Sequence, residues 1–465
     1  MNTSSKKALS VFTLTMINVA AIASLRSLPL ASSYGFSIIF VYIVGAILFL
    51  IPTALVSAEL ATAFHETGGI FLWVEKAFGQ KWGFLAIWMQ FIQNVIWFPT
   101  ALSFAGATLA YLIDPSLAEN KIYMIAVIFT IFWTTTIINL VGMKASGFIS
   151  SIGAIFGTII PGALIIGLGI LWWVMGKPLE ITMSSQTFLP KMNLGNLVFI
   201  AGILFSFAGM EMSAVHVKEV QNPNKNFPKA MFSSTLIIVT LFTLGSLAIA
   251  FIIPKESISL VAGVMSAFQI FFNSFNIPWF TPVLAFLVAI GTMAQVSTWL
   301  IGPVKGIYAT AEHGLLPKFF DKTTKNNVPH VLLLFQGLVV SGLLLIFLIM
   351  PDINSSYWIL SALATQLSLI MYLLLFAAAV YLRFKCPNLK RAYKVFGDRK
   401  IGICIVAGAG FLLCLCVFFL GFIPPDGVNS GNLIFYESFL ILGIISVSSV
   451  PFIAIRKNKK KLKNA

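Results

Sequence analysis

Long apolar segments, separated by short polar connections, run through the whole chain. Each longer segment holds about 20 predominantly apolar residues, the length that an α-helix needs to cross a bilayer. Gly and Pro are scattered through these segments, and the alternating ten-residue pattern of a membrane barrel is not found. The pattern predicts twelve transmembrane helices, near residues 9–33, 36–62, 82–112, 123–142, 148–175, 195–217, 231–253, 279–303, 330–350, 357–382, 402–423 and 434–455.

The composition excludes a soluble globular protein. Of the 465 residues, 58% are hydrophobic and only 10% are charged, which leaves too few polar side chains for a water-facing surface. The connections between the apolar segments are too short to form a separate soluble domain. We therefore predict an all-α polytopic membrane protein with a single domain over residues 1–465.

The basic residues predict the orientation in the membrane. With twelve spans and a cytoplasmic N-terminus, 25 of the 30 Lys and Arg residues lie on the cytoplasmic side, as the positive-inside rule requires. Residues 1–8 and the basic tail 456–465 are then cytoplasmic, and the apolar stretch 259–276 is an interfacial or re-entrant helix. The net charge of +15 requires no nucleic acid partner, because it serves orientation and attraction to anionic membrane lipid.

Polar residues interrupt two of the predicted spans. The first span is interrupted at Ser24–Pro29 and the sixth at Phe205–Ser213. Paired interruptions in two halves of a chain indicate a transporter site, because a broken helix exposes backbone groups that an unbroken helix satisfies internally. Exposed N–H groups suit a carboxylate and exposed carbonyls suit an ammonium group, so the pattern predicts a site for a zwitterionic amino acid.

Three charged residues fall at membrane depth. Arg26 lies in the first interruption and Glu211 in the second, and both are candidates for a functional site because a charge in hydrocarbon is costly. Two structural interpretations stay open: Glu211 pairs with Arg26 or caps a half-helix, and Arg26 reaches the external headgroups. Glu59 lies near the cytoplasmic end of its span, where we expect it to pair with a basic loop.

The chain lacks the sequence patterns of an enzyme. The four cysteines form no CxxC pair, His65–Glu66 lacks the second histidine of a zinc helix, and no nucleophile motif occurs in the spans. We therefore expect no catalytic residues, no metal and no cofactor. A channel is disfavoured as well, because charges at membrane depth are too few to form a selectivity ring.

Three motifs resemble signatures of the amino acid-polyamine-organocation superfamily of permeases. They are Glu211-Met-Ser-Ala-Val-His-Val-Lys-Glu219, Gly68-Gly-Ile-Phe-Leu-Trp73 with Ala77-Phe-Gly79, and Gly302-Pro-Val-Lys-Gly-Ile-Tyr-Ala309 with Gly314-Leu-Leu-Pro317. Together, at their expected relative positions, the three motifs are strong evidence for this superfamily, whereas each motif alone is weak evidence. Within that superfamily the chain is most similar to the bacterial glutamate/GABA antiporter branch, over essentially all twelve spans.

The resemblance implies a LeuT-like five-plus-five inverted repeat in which helices 1 and 6 are discontinuous. The first repeat would cover 9–175 and the second 195–382, with helices 11 and 12 at 402–455 outside the repeat. It also implies amino acid exchange by alternating access in the bacterial inner (plasma) membrane, by a monomer or a homodimer. Proton-coupled uptake of a neutral or other amino acid or an amine stays open as the alternative.

The candidate substrate site combines the two interruptions with residues of the eighth and tenth predicted spans, 279–303 and 357–382. Its members are Ser24, Leu25, Arg26, Ser27, Phe207, Ala208, Gly209, Glu211, Gln295, Trp299 and Tyr372. The antiporters tend to have an acidic residue where this chain has Gln295, and a tyrosine-rich break where it has Arg26. Both changes make the pocket more positive, which favours an acidic substrate side chain. Glu211 is also the candidate for proton coupling.

Overall fold

A computed structural model describes residues 9–64, 68–141, 153, 155–190, 194–212, 220–312, 314–324, 328–425 and 432–463. Over these residues the fold is built from helices, and the only extended pairing is an isolated bridge between Leu9 and Val220. The first eight α-helices are α1 (Val11–Ile22), α2 (Leu28–Ser32), α3 (Ile38–Gly45), α4 (Ile51–Ala63), α5 (Ile70–Phe78), α6 (Gln80–Ala110), α7 (Lys121–Val141) and α8 (Ile160–Val174). They are followed by α9 (Leu194–Ser206), α10 (Pro223–Ile252), α11 (Gly263–Ser274), α12 (Phe280–Glu312), α13 (His330–Leu343), α14 (Ile346–Ile349), α15 (Ile353–Lys385), α16 (Lys400–Leu420) and α17 (Leu433–Lys463).

Most of the predicted spans are present as long apolar helices. In the part of the chain that the structure describes, ten helices are long and apolar enough to cross a membrane. If the bent pair of α1 and α2 is counted as one span, the number rises to eleven. The sixth predicted span is represented by a shorter apolar helix, Leu197–Met212, and the motif residues 213–219 lie outside the described residues. Helix α11 has 12 residues and is about 18 Å long, so it is too short to cross the bilayer. That length agrees with the interfacial or re-entrant helix expected for 259–276.

Burial divides the helices into a centre and a periphery. The most apolar part of α6 is entirely buried, whereas only 17% of the corresponding part of α17 is buried. Small residues permit a close helix approach: a Cβ added to Gly157 would lie 2.2 Å from the Gly291 Cα. Such small-residue contacts are how membrane helices pack without a hydrophobic driving force between them.

The break in the first span has a local cause. Helix α1 ends at Ile22, Ala23 is its C-cap, and Ser24 is extended with φ −144° and ψ 127°. Pro29 follows in the first turn of α2, where its missing N–H leaves no helical bond to lose, whereas a continuous helix would make its ring clash with the preceding turn. The two helices meet at 46°, so the sequence-predicted discontinuity of the first span is confirmed.

The sixth span is broken at a glycine. Helix α9 ends at Ser206, a turn covers 207–209, and a short 3-10 helix follows over 210–212. Gly209 has φ +120°, a conformation that residues with a Cβ rarely adopt. The interruption predicted for this span is therefore present in the described residues.

Candidate functional site

A small cavity lies where the two broken helices meet. Its volume is about 50 Å³, which corresponds to roughly three to five water molecules at about 10–15 Å³ each. The lining residues are Ala21, Ile22, Ser24, Arg26, Ser27, Gln93, Asn94, Trp97, Phe205, Ser206, Ala208, Gly209, Glu211, Gln295, Trp299, Ser368, Met371 and Tyr372. Nine of the eleven sequence-predicted site residues are in this set.

Leu25 and Phe207 are the two predicted residues that do not line the cavity. Both are buried elsewhere in the apolar core. The Phe207 ring packs against Tyr42 at 5.5 Å and stacks on Phe242 at 5.8 Å between ring centroids. Burial against other helices, rather than the nearby break, therefore determines where these two side chains point.

Arg26 is held in the cavity wall by neutral and aromatic groups. Its Nη1 donates hydrogen bonds to the Tyr357 hydroxyl at 2.9 Å and to Thr100 Oγ1 at 3.2 Å. The guanidinium also lies 5.5 Å from the Trp97 ring centroid and 5.6 Å from that of Tyr357, within cation–π range. Its Nε is buried without a hydrogen-bond partner. The residue is only 6% exposed, which excludes a tether to the external headgroups.

Glu211 is also satisfied by neutral groups. Gln90 Nε2 donates to Oε1 at 3.3 Å, and the Tyr372 hydroxyl donates to Oε2 at 2.8 Å. The same hydroxyl accepts the Gly209 N–H at 3.0 Å, which ties helix α15 to the turn of the sixth span. Among the described residues, the ion pairs within 4.0 Å do not include one between Glu211 and Arg26. The two charges thus line one cavity without neutralising each other directly.

Helix α12 supplies side chains that cap the broken end of α1. Trp299 Nε1 donates to the Ala21 carbonyl at 3.2 Å, and Gln295 Nε2 donates to the Ala23 carbonyl at 3.3 Å. Carbonyls at a helix C-terminus have no partner within the helix, so these bonds compensate for the break. An ammonium group that used the same carbonyls would have to displace the two side chains.

A proline in α12 explains a further polar contact. Asn94 Nδ2 donates to the Trp299 carbonyl at 2.9 Å. In a regular helix this carbonyl would accept the N–H of the residue four positions later, which is Pro303 and has no N–H. The Asn94 amide therefore replaces the missing backbone donor. Although Asn94 lines the cavity, its side chain has a structural role in supporting α12.

Helix α6 contributes site residues that the sequence reasoning missed. Gln93, Asn94 and Trp97 line the cavity, and Gln90 and Thr100 bond its two charged residues. A signal was available, because polar side chains recur every three or four residues along a span that is otherwise apolar. Three amides on one helix face would have indicated a buried polar surface.

The third charged residue at membrane depth, Glu59, lies in a separate cluster. Its Oε1 is 2.6 Å from Arg383 Nη1 and 3.3 Å from Arg391 Nε, and its Oε2 accepts the Val395 N–H at 2.8 Å. Arg383 also donates to the Gly397 carbonyl. The expected pairing of Glu59 with a basic loop is confirmed.

The chain is similar to several bacterial transporters. The chain is 44% identical over 459 residues to an uncharacterized transporter of Legionella pneumophila, and the alignment covers 98% of each of the two chains. It is 32% identical over 463 residues to a glutamate/gamma-aminobutyrate antiporter of Lactococcus lactis, covering 98% of this chain and 92% of that one. A serine/threonine exchanger of Bacillus subtilis is 28% identical over 390 residues, with 81% and 82% covered.

One family model matches most of the chain, including both broken helices around the polar cavity. The amino acid permease family matches residues 9–446. Its members are transporters rather than enzymes, in agreement with the expectation from the sequence. The protein is thus a multi-pass membrane protein that belongs to the amino acid permease family of the amino acid-polyamine-organocation superfamily.

Proposed function

We propose that the protein is a secondary active amino acid antiporter of the glutamate/GABA-exchanger type that works by alternating access. It acts in the bacterial inner membrane with twelve spans, a five-plus-five inverted repeat and both termini in the cytoplasm. The similarity to the Lactococcus lactis glutamate/gamma-aminobutyrate antiporter over 98% of the chain supports this type of exchange. The two interrupted spans support the repeat, since each interruption opens one of the predicted halves.

A single observation carries the proposal: Arg26 and Glu211 line one buried cavity between the two breaks. Each is stabilised by neutral partners, so each retains capacity for a charged ligand group. The buried Arg26 Nε is a donor without a partner, and guanidinium groups bind carboxylates through two parallel hydrogen bonds. We assign Arg26 to a carboxylate of the substrate and Glu211 to its ammonium group.

The cavity volume of about 50 Å³ bears on the transport cycle. A glutamate-sized molecule needs more room than this, so the cavity must widen to hold the substrate. Trp299 and Gln295 are the side chains to move, because their bonds to the Ala21 and Ala23 carbonyls close the wall beside the break. Alternating access then includes the making and breaking of these two bonds.

The test is counterflow of radiolabelled amino acids in proteoliposomes that contain the purified protein. We expect Arg26→Leu to lower uptake of acidic amino acids at least about 30-fold, because removal of one partner from a buried charged contact costs roughly 2–5 kcal/mol. Arg26→Lys is the matched variant: it keeps the charge but cannot form the bidentate contact, so we expect an intermediate loss. Unchanged affinity of Arg26→Leu for every accepted amino acid would remove the proposed role.

Proton-coupled uptake is a second candidate, favoured by the contact between the Tyr372 hydroxyl and the Glu211 carboxylate. A buried carboxylate that is bonded only by neutral donors can exchange a proton without breaking an ion pair. We expect Glu211→Gln to abolish the pH dependence of uptake if this function is correct, because glutamine cannot carry the proton. Uptake in Glu211→Gln that keeps the wild-type response to an imposed pH gradient excludes Glu211 as the carrier.

A further inference from the structure

An apolar groove lies between the C-terminal part of α15 and α16. Its volume is about 620 Å³, and all of its lining side chains are apolar or aromatic. Phe384 at one end is 50% exposed, and Leu412 at the other end is 61% exposed. Such a groove on a membrane-spanning surface is open to acyl chains, so a lipid is the natural occupant to examine.

Two lysines stand at the end of the groove where both helices reach the same membrane surface. Lys385 is the last residue of α15, and its Nζ lies 5.1 Å from the centroid of the Tyr381 ring. Lys400 is the first residue of α16, and its Nζ lies 4.9 Å from the centroid of the Phe384 ring. Tyr381 and Phe384 both line the groove, so the two ammonium groups are positioned over its walls.

Within the described residues, no ion pair neutralises these two lysines. Residues 383–400 hold seven basic side chains and one acidic side chain, Asp398. Asp398 pairs with Lys394, and Glu59 takes the charges of two arginines. No ion pair found in the described residues involves Lys385 or Lys400. The open end of the groove is therefore positive, which complements an anionic headgroup.

The loop between the two helices adds an exposed aromatic side chain. Phe396 has φ +51° and is 68% exposed. A non-glycine residue in this conformation costs roughly 1–3 kcal/mol and persists where its surroundings determine it. Here the neighbours determine it, because the Val395 N–H bonds Glu59 and the Gly397 carbonyl accepts from Arg383. The fixed turn presents the Phe396 ring outward beside the start of α16.

We infer that this groove binds one anionic phospholipid, with an acyl chain between α15 and α16 and the phosphate between Lys385 and Lys400. This lipid site is separate from the proposed transport function. It rests on that proposal only for the location of residues 386–399 at a membrane surface. Apolar packing alone accepts any phospholipid, whereas the lysine pair selects a net negative headgroup. The site therefore discriminates between phosphatidylglycerol and phosphatidylcholine.

Native mass spectrometry of the full-length protein with equal amounts of phosphatidylglycerol and phosphatidylcholine tests the inference. We expect wild-type protein to retain phosphatidylglycerol in preference to phosphatidylcholine. The double variant Lys385→Gln and Lys400→Gln should retain it about 10- to 30-fold less, because each basic residue near a membrane surface contributes about 1 kcal/mol, or a factor of about five. Equal retention of both lipids by the wild type would overturn the proposal.

Lys177→Gln is the matched control. Lys177 also makes cation–π contacts, at 4.6 Å from both Trp172 and Phe275, but it lies in another connection and away from the groove. We expect this variant to retain phosphatidylglycerol as the wild type does. A loss equal to that of the double variant would mean that any lysine over an aromatic ring binds the lipid, and it would overturn the assignment to the groove.

A second variant tests the acyl-chain part of the site. An added Cβ on Gly408 meets nothing within 4 Å, and Gly408 lines the groove, so the side chain of Gly408→Leu begins in open groove space. Its control is Gly342→Leu, at another helical glycine with open space around it. We expect only Gly408→Leu to lower retention of phosphatidylglycerol. If it instead converts a lipid-free dimer into a monomer, the groove is covered by a second copy of the chain, and the lipid proposal fails. Displacement of the lipid by excess inorganic phosphate would likewise show a free-anion site.

Discussion

Two regions of the molecule hold buried charge in different ways. Around Glu59 the carboxylate contacts two guanidinium groups and a backbone N–H, so opposite charges lie within 2.6–3.3 Å of each other. Around the cavity, Arg26 and Glu211 are bonded only by hydroxyl, amide and aromatic groups among the described residues. The first arrangement is complete within the protein, and the second is not.

The difference separates structural from functional charge. A buried ion pair has no capacity for a further ligand, and its removal leaves an uncompensated charge in a low dielectric. A charge held by neutral groups has already been stabilised by hydrogen bonds, yet it still attracts an opposite charge at close range. A substrate that brings both a carboxylate and an ammonium group can supply what the cavity lacks. The comparison can be tested by substitution in each region.

The largest expected effect is that of Glu59→Gln on stability. The variant leaves Arg383 and Arg391 buried without a carboxylate, and loss of one partner from such a pair costs about 3–5 kcal/mol. We expect less folded protein in the membrane and a lower midpoint of thermal unfolding in detergent, measured by fluorescence-detected size exclusion. Asp398→Asn is the matched control, because it removes an acidic partner of the same loop at the exposed surface, and we expect no measurable change.

Arg26→Leu sharpens this contrast when its stability is measured in the same assay. Since no carboxylate pairs with Arg26 in the described structure, its removal leaves no unpaired charge behind. We expect the unfolding midpoint to fall far less than in Glu59→Gln, because only the Tyr357 and Thr100 hydroxyls lose a hydrogen bond, while uptake of acidic amino acids falls as stated above. A loss of stability as large as that of Glu59→Gln would mean that Arg26 is structural.

The sequence predicted features that depend on neighbouring residues better than features that depend on distant ones. The break at Ser24 and the pairing of Glu59 follow from local patterns of polarity. The identity of the partner does not, because Arg383 lies 324 residues further along the chain. Phe207 adjoins a break, which predicts it in the site, but rings from other helices determine its position. The polar face of α6, with Asn94, is not indicated by the hydrophobicity of the span, and only the periodicity of its amides reveals it.

A smaller effect is expected from Asn94→Leu, which tests whether a cavity residue can belong to the scaffold. The variant leaves the Trp299 carbonyl without a donor, and an unsatisfied buried polar group costs about 1–3 kcal/mol. We expect a lower midpoint of thermal unfolding, with the apparent substrate affinity little changed.

Pro303→Ala provides the control for that experiment. An alanine at this position has the N–H that can donate to the Trp299 carbonyl, so it should reduce the penalty of Asn94→Leu when both changes are combined. Strictly additive losses of stability would contradict the explanation that Asn94 substitutes for a missing helical bond.

The smallest expected effect is a change of preference in Gln295→Glu. The Gln295 amide donates to the Ala23 carbonyl at 3.3 Å, and a glutamate that is ionised cannot make this bond. The added negative charge would also partly neutralise the positive charge of Arg26 in the same cavity. It would repel an acidic substrate side chain and attract a second ammonium group. We expect competition assays in proteoliposomes to show roughly a tenfold shift from acidic amino acids toward amines, which corresponds to about 1.4 kcal/mol. Gln295→Leu is the matched control, because it removes the same hydrogen bond without adding charge. If both variants shift the preference equally, the capping bond rather than the charge of the cavity determines which substrate is bound.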